Sequence, residues 1–141
     1  MIRRLAFLPD LARFEDAALL LLRLTVGAFL IYGVWDNIVS AERMAEFVGF
    51  LASFGFPAPA FMAPLSVWAQ FFCGLAFILG LFTRWAGLIC AFNFVVAIAM
   101  VDHHGGIRGS FPAAALVLIG LYLATHGPGW FSLDRFLQDR S

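Results

Sequence analysis

A chain of 141 residues that is 62% hydrophobic and only 13% charged carries too little polar surface to keep a domain of its size dissolved in water. Its formal net charge is zero and it contains no lysine, which argues against nucleic acid as a partner, because phosphate binding needs clustered cations that release counterions. The two cysteines, Cys73 and Cys90, are not spaced as CxxC, so neither a thioredoxin-like pair nor a structural metal site is signalled.

The chain opens with arginines in the manner of a signal peptide. Asp10, Glu15 and Asp16 interrupt that pattern and no small-residue cleavage site follows, so the first apolar run is expected to be retained. Arg3, Leu5, Leu8, Pro9 and Phe14 predict a short interfacial segment. Glu15 and Asp16 then stand where acidic side chains cap a helix and oppose its positive end. Apolar runs follow at residues 17–38, 64–82, 85–101 and 111–126. A hydrocarbon core of about 30 Å needs about 20 helical residues, with every backbone polar group satisfied inside the segment. The pattern predicts an all-α membrane protein, a single domain over residues 1–141 forming a four-transmembrane-helix up-down bundle.

Between the first two runs, residues 40–54 place Met44, Phe47, Val48, Leu51 and Phe54 at helical spacing opposite Glu42, Arg43 and Glu46. This predicts an amphipathic helix on the outer surface, with Ser40 as N-cap and Gly55 and Pro57 as stop signals. Only Thr83 and Arg84 separate the second and third runs, which predicts a tight antiparallel hairpin. Gly127, Pro128 and Gly129 end the fourth, and Trp130 and Phe131 follow as interfacial anchors. No internal repeat is read. The cysteines are expected at different depths as small packing residues, with no disulfide between them. Arg3, Arg4, Arg13, Arg84, Arg135 and Arg140 fall on one side of the bundle and Arg43 and Arg108 on the other, which predicts cytoplasmic termini and an external segment at residues 40–63.

Arg23 is the most expensive residue in the chain, since a guanidinium inside an apolar helix costs about 2.5 to 3.5 kcal/mol even on insertion scales. Counting inward from the cytoplasmic face, Asn93 lies at a comparable depth and Gln70 somewhat deeper. An intramembrane polar cluster of Arg23, Gln70 and Asn93 is therefore expected, the alternative being that Arg23 snorkels to lipid phosphates. Ala86, Cys90, Asn93 and Ala97 form a small stripe on the third helix, and Gly27, Gly33, Gly74, Gly80 and Gly87 suit close backbone approach. Tyr32, Trp35, Asp36, Asn37, Trp68, Asp102, His103 and His104 gather at the outer ends. Imidazole, indole and carboxylate offer donors, acceptors and titratable protons together and suit a quinone head group, a heme edge or a divalent metal; of these residues Trp35, Asp36, Trp68 and His103 are the candidate ligands for a quinone or a lipid. Adjacent histidines do not readily chelate one ion as helical neighbours, so no metal site is expected. No nucleophile with its base, phosphate loop or CxxCH is present, and no catalytic residue is assigned.

The segments LLLRLTVGAFLIYGVWD, GFPAP, WAQFFCGLAFILGLFTRWAGL and GPGWFSLD, in this order, resemble the DoxX family of small bacterial membrane proteins. The resemblance carries Arg23, Gly27, Gly33, Gly55, Pro57, Thr83, Arg84 and the tail from Gly127 to Asp134. It implies four transmembrane helices in the bacterial inner membrane and a redox setting, such as a small subunit similar to that of thiosulfate:quinone oxidoreductase or a membrane partner of thiol and superoxide defence enzymes. Two departures bear on mechanism. Gln70 stands where many relatives carry a glutamate, and Ser110, Phe111 and Pro112 stand where an acidic residue often opens the fourth helix. A neutral amide can hydrogen-bond a quinone carbonyl but cannot titrate.

The resulting expectation is an accessory subunit of a redox membrane complex, with quinone as the candidate ligand and membrane lipids and a larger membrane complex as partners. The competing readings are a structural or assembly protein without ligand and, more weakly, a small-molecule transporter, which the lack of inverted repeats and broken helices disfavours.

Overall fold

Every apolar run becomes a helix that starts a few residues before the run does. The computed structural model describes residues 1–140 and shows no strand among them. A short helix α1 (Ile2–Phe7) and a 3₁₀ turn (Pro9–Phe14) lead into α2 (Glu15–Val39), followed by α3 (Ala41–Ser53), α4 (Pro59–Leu79) and α5 (Thr83–Met100). A second 3₁₀ turn (Asp102–Gly105) precedes α6 (Gly106–His126), and α7 (Leu133–Gln138) closes the chain. The segments containing α2, α4, α5 and α6 are long and apolar enough to cross a membrane.

Local chemistry explains where these boundaries depart from the apolar runs. α4 starts at Pro59, five residues before the run, because a proline at the first helical position loses only an N–H that would be orphaned anyway. It ends at Gly80, whose φ of +68° a residue with a Cβ adopts only under strain. The hairpin turn is therefore Gly80, Leu81 and Phe82, and Thr83 and Arg84 already belong to α5. α6 starts at Gly106 and absorbs Pro112 near its first turns, ending where Gly127 takes φ +92°. Ser40 caps α3 as its sequence indicates, with its Oγ accepting the Arg43 N–H at 3.3 Å.

α2 packs chiefly on α4, and α5 on α6, with a less extensive α4–α5 contact between the two pairs. Each tight pair closes on reciprocal glycines. A Cβ at Gly27 would stand 2.6 Å from the Gly74 carbonyl, and one at Gly74 would stand 2.8 Å from the Gly27 carbonyl. In the second pair a Cβ at Gly120 would lie 2.7 Å from the Gly87 carbonyl, and one at Gly87 would collide with the Gly120 carbonyl. Small residues of this kind let membrane helices approach closely enough for dispersion to hold them where lipid offers no hydrophobic drive. The chain thus repeats a contact, helix hairpins closed on a glycine pair, that periodicity along the sequence does not reveal. Leu30, Phe77, Leu123, Cys73 and Cys90 fill the space between the pairs, and both cysteines are free.

Gly87→Ala is expected to destabilise the protein by about 1–3 kcal/mol through overpacking, whereas Gly49→Ala on α3, where an added Cβ meets nothing within 4 Å, should be neutral or slightly stabilising. Thermal unfolding in one mild detergent, with both variants beside wild type, gives the comparison. Equal melting of the two variants would remove the glycine contact as a determinant.

Candidate functional site

The α2–α4–α5–α6 path leaves both termini at one end of the bundle and α3 with the 102–105 turn at the other. The terminal end is closed by the segment after α6. Arg23 is 1% exposed, and its Nη1 and Nη2 donate to the Pro128 carbonyl at 2.9 Å and the Phe131 carbonyl at 2.6 Å. Gly80 makes room for this path, since a Cβ there would lie 2.5 Å from Arg23 Nη1. The Asp134 carboxylate accepts the Phe82 and Thr83 N–H groups at 2.7 and 3.0 Å, so it caps α5 from a distant part of the chain. Arg84 Nη1 donates to the Ala124 and Thr125 carbonyls at 2.9 and 2.6 Å, satisfying the end of α6. Asp16 receives the Trp130 N–H at 3.0 Å and Glu15 meets His126 at 3.1 Å.

These contacts correct two expectations. The structure does not bring Arg23, Gln70 and Asn93 into one cluster. The guanidinium reaches toward the terminal end, as snorkelling predicts, but there it finds backbone carbonyls of the chain itself. Glu15 and Asp16 make no side-chain cap on α2; they hold the returning tail.

The other end contains a cavity of about 430 Å³ between α3, α4 and α5, a size suited to a small organic ligand. Its walls are mostly phenylalanine and aliphatic side chains, and its polar lining consists of Ser66, Gln70, Asn93 and Asp102. Met44, Phe47, Val48 and Leu51 of α3, and Phe54 just after it, are more buried than Glu42, Arg43 and Glu46, and Phe47 and Leu51 line the cavity. Gln70 Nε2 donates to the Leu30 carbonyl at 3.1 Å. Gly33 leaves the space for that amide, since a Cβ there would sit 3.2 Å from Nε2. Ser66 Oγ donates to Asn93 Oδ1 at 2.9 Å. Gln70 Oε1 and Asn93 Nδ2 have no partner among the described residues, and neither is among the fully buried unpaired atoms, so both are accessible in the space these residues line.

The four residues read from the sequence as ligands do not form this site. Trp35 is exposed on α2 and Trp68 is exposed on α4, where it packs on Phe71 and Phe72. Asp36 is exposed, and His103 Nδ1 lies 2.9 Å from the Ile98 carbonyl beside the His104 ring. None of the four lines the cavity. Two residues from the other expected group, Gln70 and Asn93, do. The sequence did not single out Ser66, which lines the cavity, and left Asp102 in the outer group without a role. The available signal was that Ser66 lies one helical turn before Gln70 on the same face of α4.

The four spans, the tail-locked terminal end and the membrane-depth cavity define a multi-pass membrane protein. The DoxX family matches residues 18–103, and the chain belongs to that family. It is 28% identical over 133 residues to the inner membrane protein YqjF of Escherichia coli (strain K12), a similarity covering 91% of this chain and 98% of that protein. With its four apolar helices, this makes it a multi-pass inner-membrane protein. No solved structure matches the chain.

Arg23→Leu is expected to release the tail, costing about 2–4 kcal/mol from two charge-assisted hydrogen bonds and the carbonyls left unpaired. Arg23→Lys should lie between Leu and wild type, since an ammonium lacks the planar fork that reaches both carbonyls. Protease cleavage after residue 126 and unfolding in detergent report the two effects. Identical behaviour of all three proteins would show that the tail does not depend on the guanidinium.

Proposed function

We propose that this chain is an accessory subunit of a redox-linked membrane complex and that its own part is to hold a quinone-type amphiphile between α3, α4 and α5. The observation that carries this reading is the cavity itself: phenylalanine and aliphatic walls around accessible amide groups at Gln70 and Asn93. A planar ring suits aromatic walls, and a ring carbonyl can accept from Asn93 Nδ2. The redox setting comes from the family resemblance. Asp102 is the single ionisable residue among those that line the cavity, so chemistry on the ligand would fall to a partner protein. Both termini, and with them Arg23 and the tail, face the cytoplasm, and the cavity opens in the outer half of the bilayer; the arginine distribution supports this orientation.

Purification in gentle detergent, followed by extraction of bound quinones and mass spectrometry of co-purifying proteins, tests the reading. Asn93→Leu is expected to lower quinone content several-fold while Trp35→Phe and Trp68→Phe leave it unchanged. Recovery of a partner with no quinone in wild type would favour a purely structural subunit. For the orientation, alkaline phosphatase fused within residues 40–63 should be active and the same reporter at the C-terminus inactive. The opposite pattern would invert the assignment.

A further inference from the structure

Leu65, Ile89 and Phe92 line the cavity and also stand on lipid-facing helix surfaces. On α4, Phe61, Leu65, Trp68 and Phe72 recur at helical spacing and are all exposed, and Leu65, 49% exposed, is the member of that stripe that lines the cavity. On α5 the exposed stripe is Trp85, Leu88, Ile89, Phe92 and Val95, of which Ile89 and Phe92, 45% and 71% exposed, line the cavity. Side chains this open in the middle of a membrane span meet hydrocarbon.

The contacts between α4 and α5 leave room for an opening at this depth. Toward the terminal end the helices meet where Cys73 Sγ donates to the Ala86 carbonyl at 3.5 Å, and further out they are bridged where Ser66 Oγ donates to Asn93 Oδ1 at 2.9 Å. Ala69 and Ile89 lie between these two contacts along their helices, and both line the cavity. Leu65 and Phe92 directly precede Ser66 and Asn93, so the rim and the polar groups are neighbours. At the far end α3 covers the cavity with Phe47 and Leu51, the latter buried. A molecule in water therefore meets α3, whereas one dissolved in the bilayer meets the rim of Leu65, Ile89 and Phe92.

We infer that the cavity is loaded sideways from the bilayer through the opening between α4 and α5, and that its ligand carries a long apolar chain which stays in that opening while the head group sits against Gln70 and Asn93. The inference rests on the quinone-type reading for the head group and adds the route and the chain. Lipid tails and the rim side chains are alike in polarity, so a chain lying between them is never exposed to water. The polar end is the part that gains by entering, because a ring carbonyl in hydrocarbon has no donor and in the cavity it has the Asn93 amide. A ring without a chain lacks the part that the opening holds.

The test is photolabelling of the purified full chain in lipid nanodiscs with a benzoquinone whose decyl chain carries a diazirine beside the ring. Each label is located by peptide mass spectrometry, with and without an excess of the unmodified decyl-benzoquinone. Label that the competitor removes is expected at Leu65, Ile89 and Phe92, whereas label at Leu88, on the lipid face but outside the cavity, should resist competition. Ile89→Trp and Leu65→Trp, which fill the opening from opposite sides, should each lower the competed label several-fold, and Leu88→Trp should leave it unchanged. Competed label at Phe47, Phe50 and Phe56, with none at Leu65, Ile89 and Phe92, would mean that the chain leaves beside α3; it would overturn the sideways route and leave the proposed function standing. An effect of Leu88→Trp equal to that of Ile89→Trp would overturn the route as well. Competed label nowhere on the protein would overturn both readings.

Discussion

A guanidinium buried in the first span must find acceptors, and in this protein it finds them in the backbone of the segment that follows the last span. Arg23 holds the Pro128 and Phe131 carbonyls, which fixes the path of the chain across the terminal end. That path carries Asp134 to the orphan N–H groups at the start of α5 and brings Trp130 against Asp16. Arg84 performs the complementary task at the end of α6. Helix ends near a bilayer have little water to satisfy their backbone groups; here side chains from other elements do so. α2 and α6 share little direct packing. The 3.1 Å contact of Glu15 with His126 joins the first span to the last, and the hydrogen bonds of Asp16 and Arg23 join it to the tail that follows.

The cavity follows from the same arrangement at the opposite end. Reciprocal glycines draw α2 onto α4 and α5 onto α6 until backbones touch, and the tail ties both pairs at the terminal end. Nothing comparable draws α4 onto α5 at the far end. The gap between them is instead bridged by the Ser66 to Asn93 hydrogen bond and covered by the apolar side of α3. A tight terminal end and a loose far end are thus two results of where the glycines and the tail residues fall in the sequence.

The number of spans, the α3 helix with its Ser40 cap and the stop at Gly127 were legible because each depends on signals within one stretch: an apolar run long enough for a bilayer, a serine before a helical pattern, a glycine where φ turns positive. The partners of Arg23 were not legible, because backbone carbonyls carry no mark in a sequence, and depth counting directs attention to polar side chains on neighbouring spans. The tail motif around Gly127, Pro128 and Gly129 reads as a helix stop, and the tail's second use as a source of carbonyl acceptors for Arg23 appears only when it returns over α2. The aromatic and histidine group at the outer ends misled for a different reason. Trp35 and Trp68 share a depth with the cavity but lie on exposed faces of their helices, and depth along a helix says nothing of direction around it.

Gln70 draws these strands together. A carboxylate at this position would face the Leu30 carbonyl and lose the hydrogen bond that Gln70 Nε2 makes there, at a point where Gly33 leaves space for an amide and no cation is hydrogen-bonded. Arg23, the charge that could have paired with it, is committed to the tail. The amide is therefore consistent with its surroundings in this chain: held by one atom, open at the other, and neutral across the physiological pH range. Under the proposed function, Ser66, Gln70 and Asn93 would hold a ligand by hydrogen bonds and shape, which suits a cavity that retains a neutral ligand better than one that relays protons.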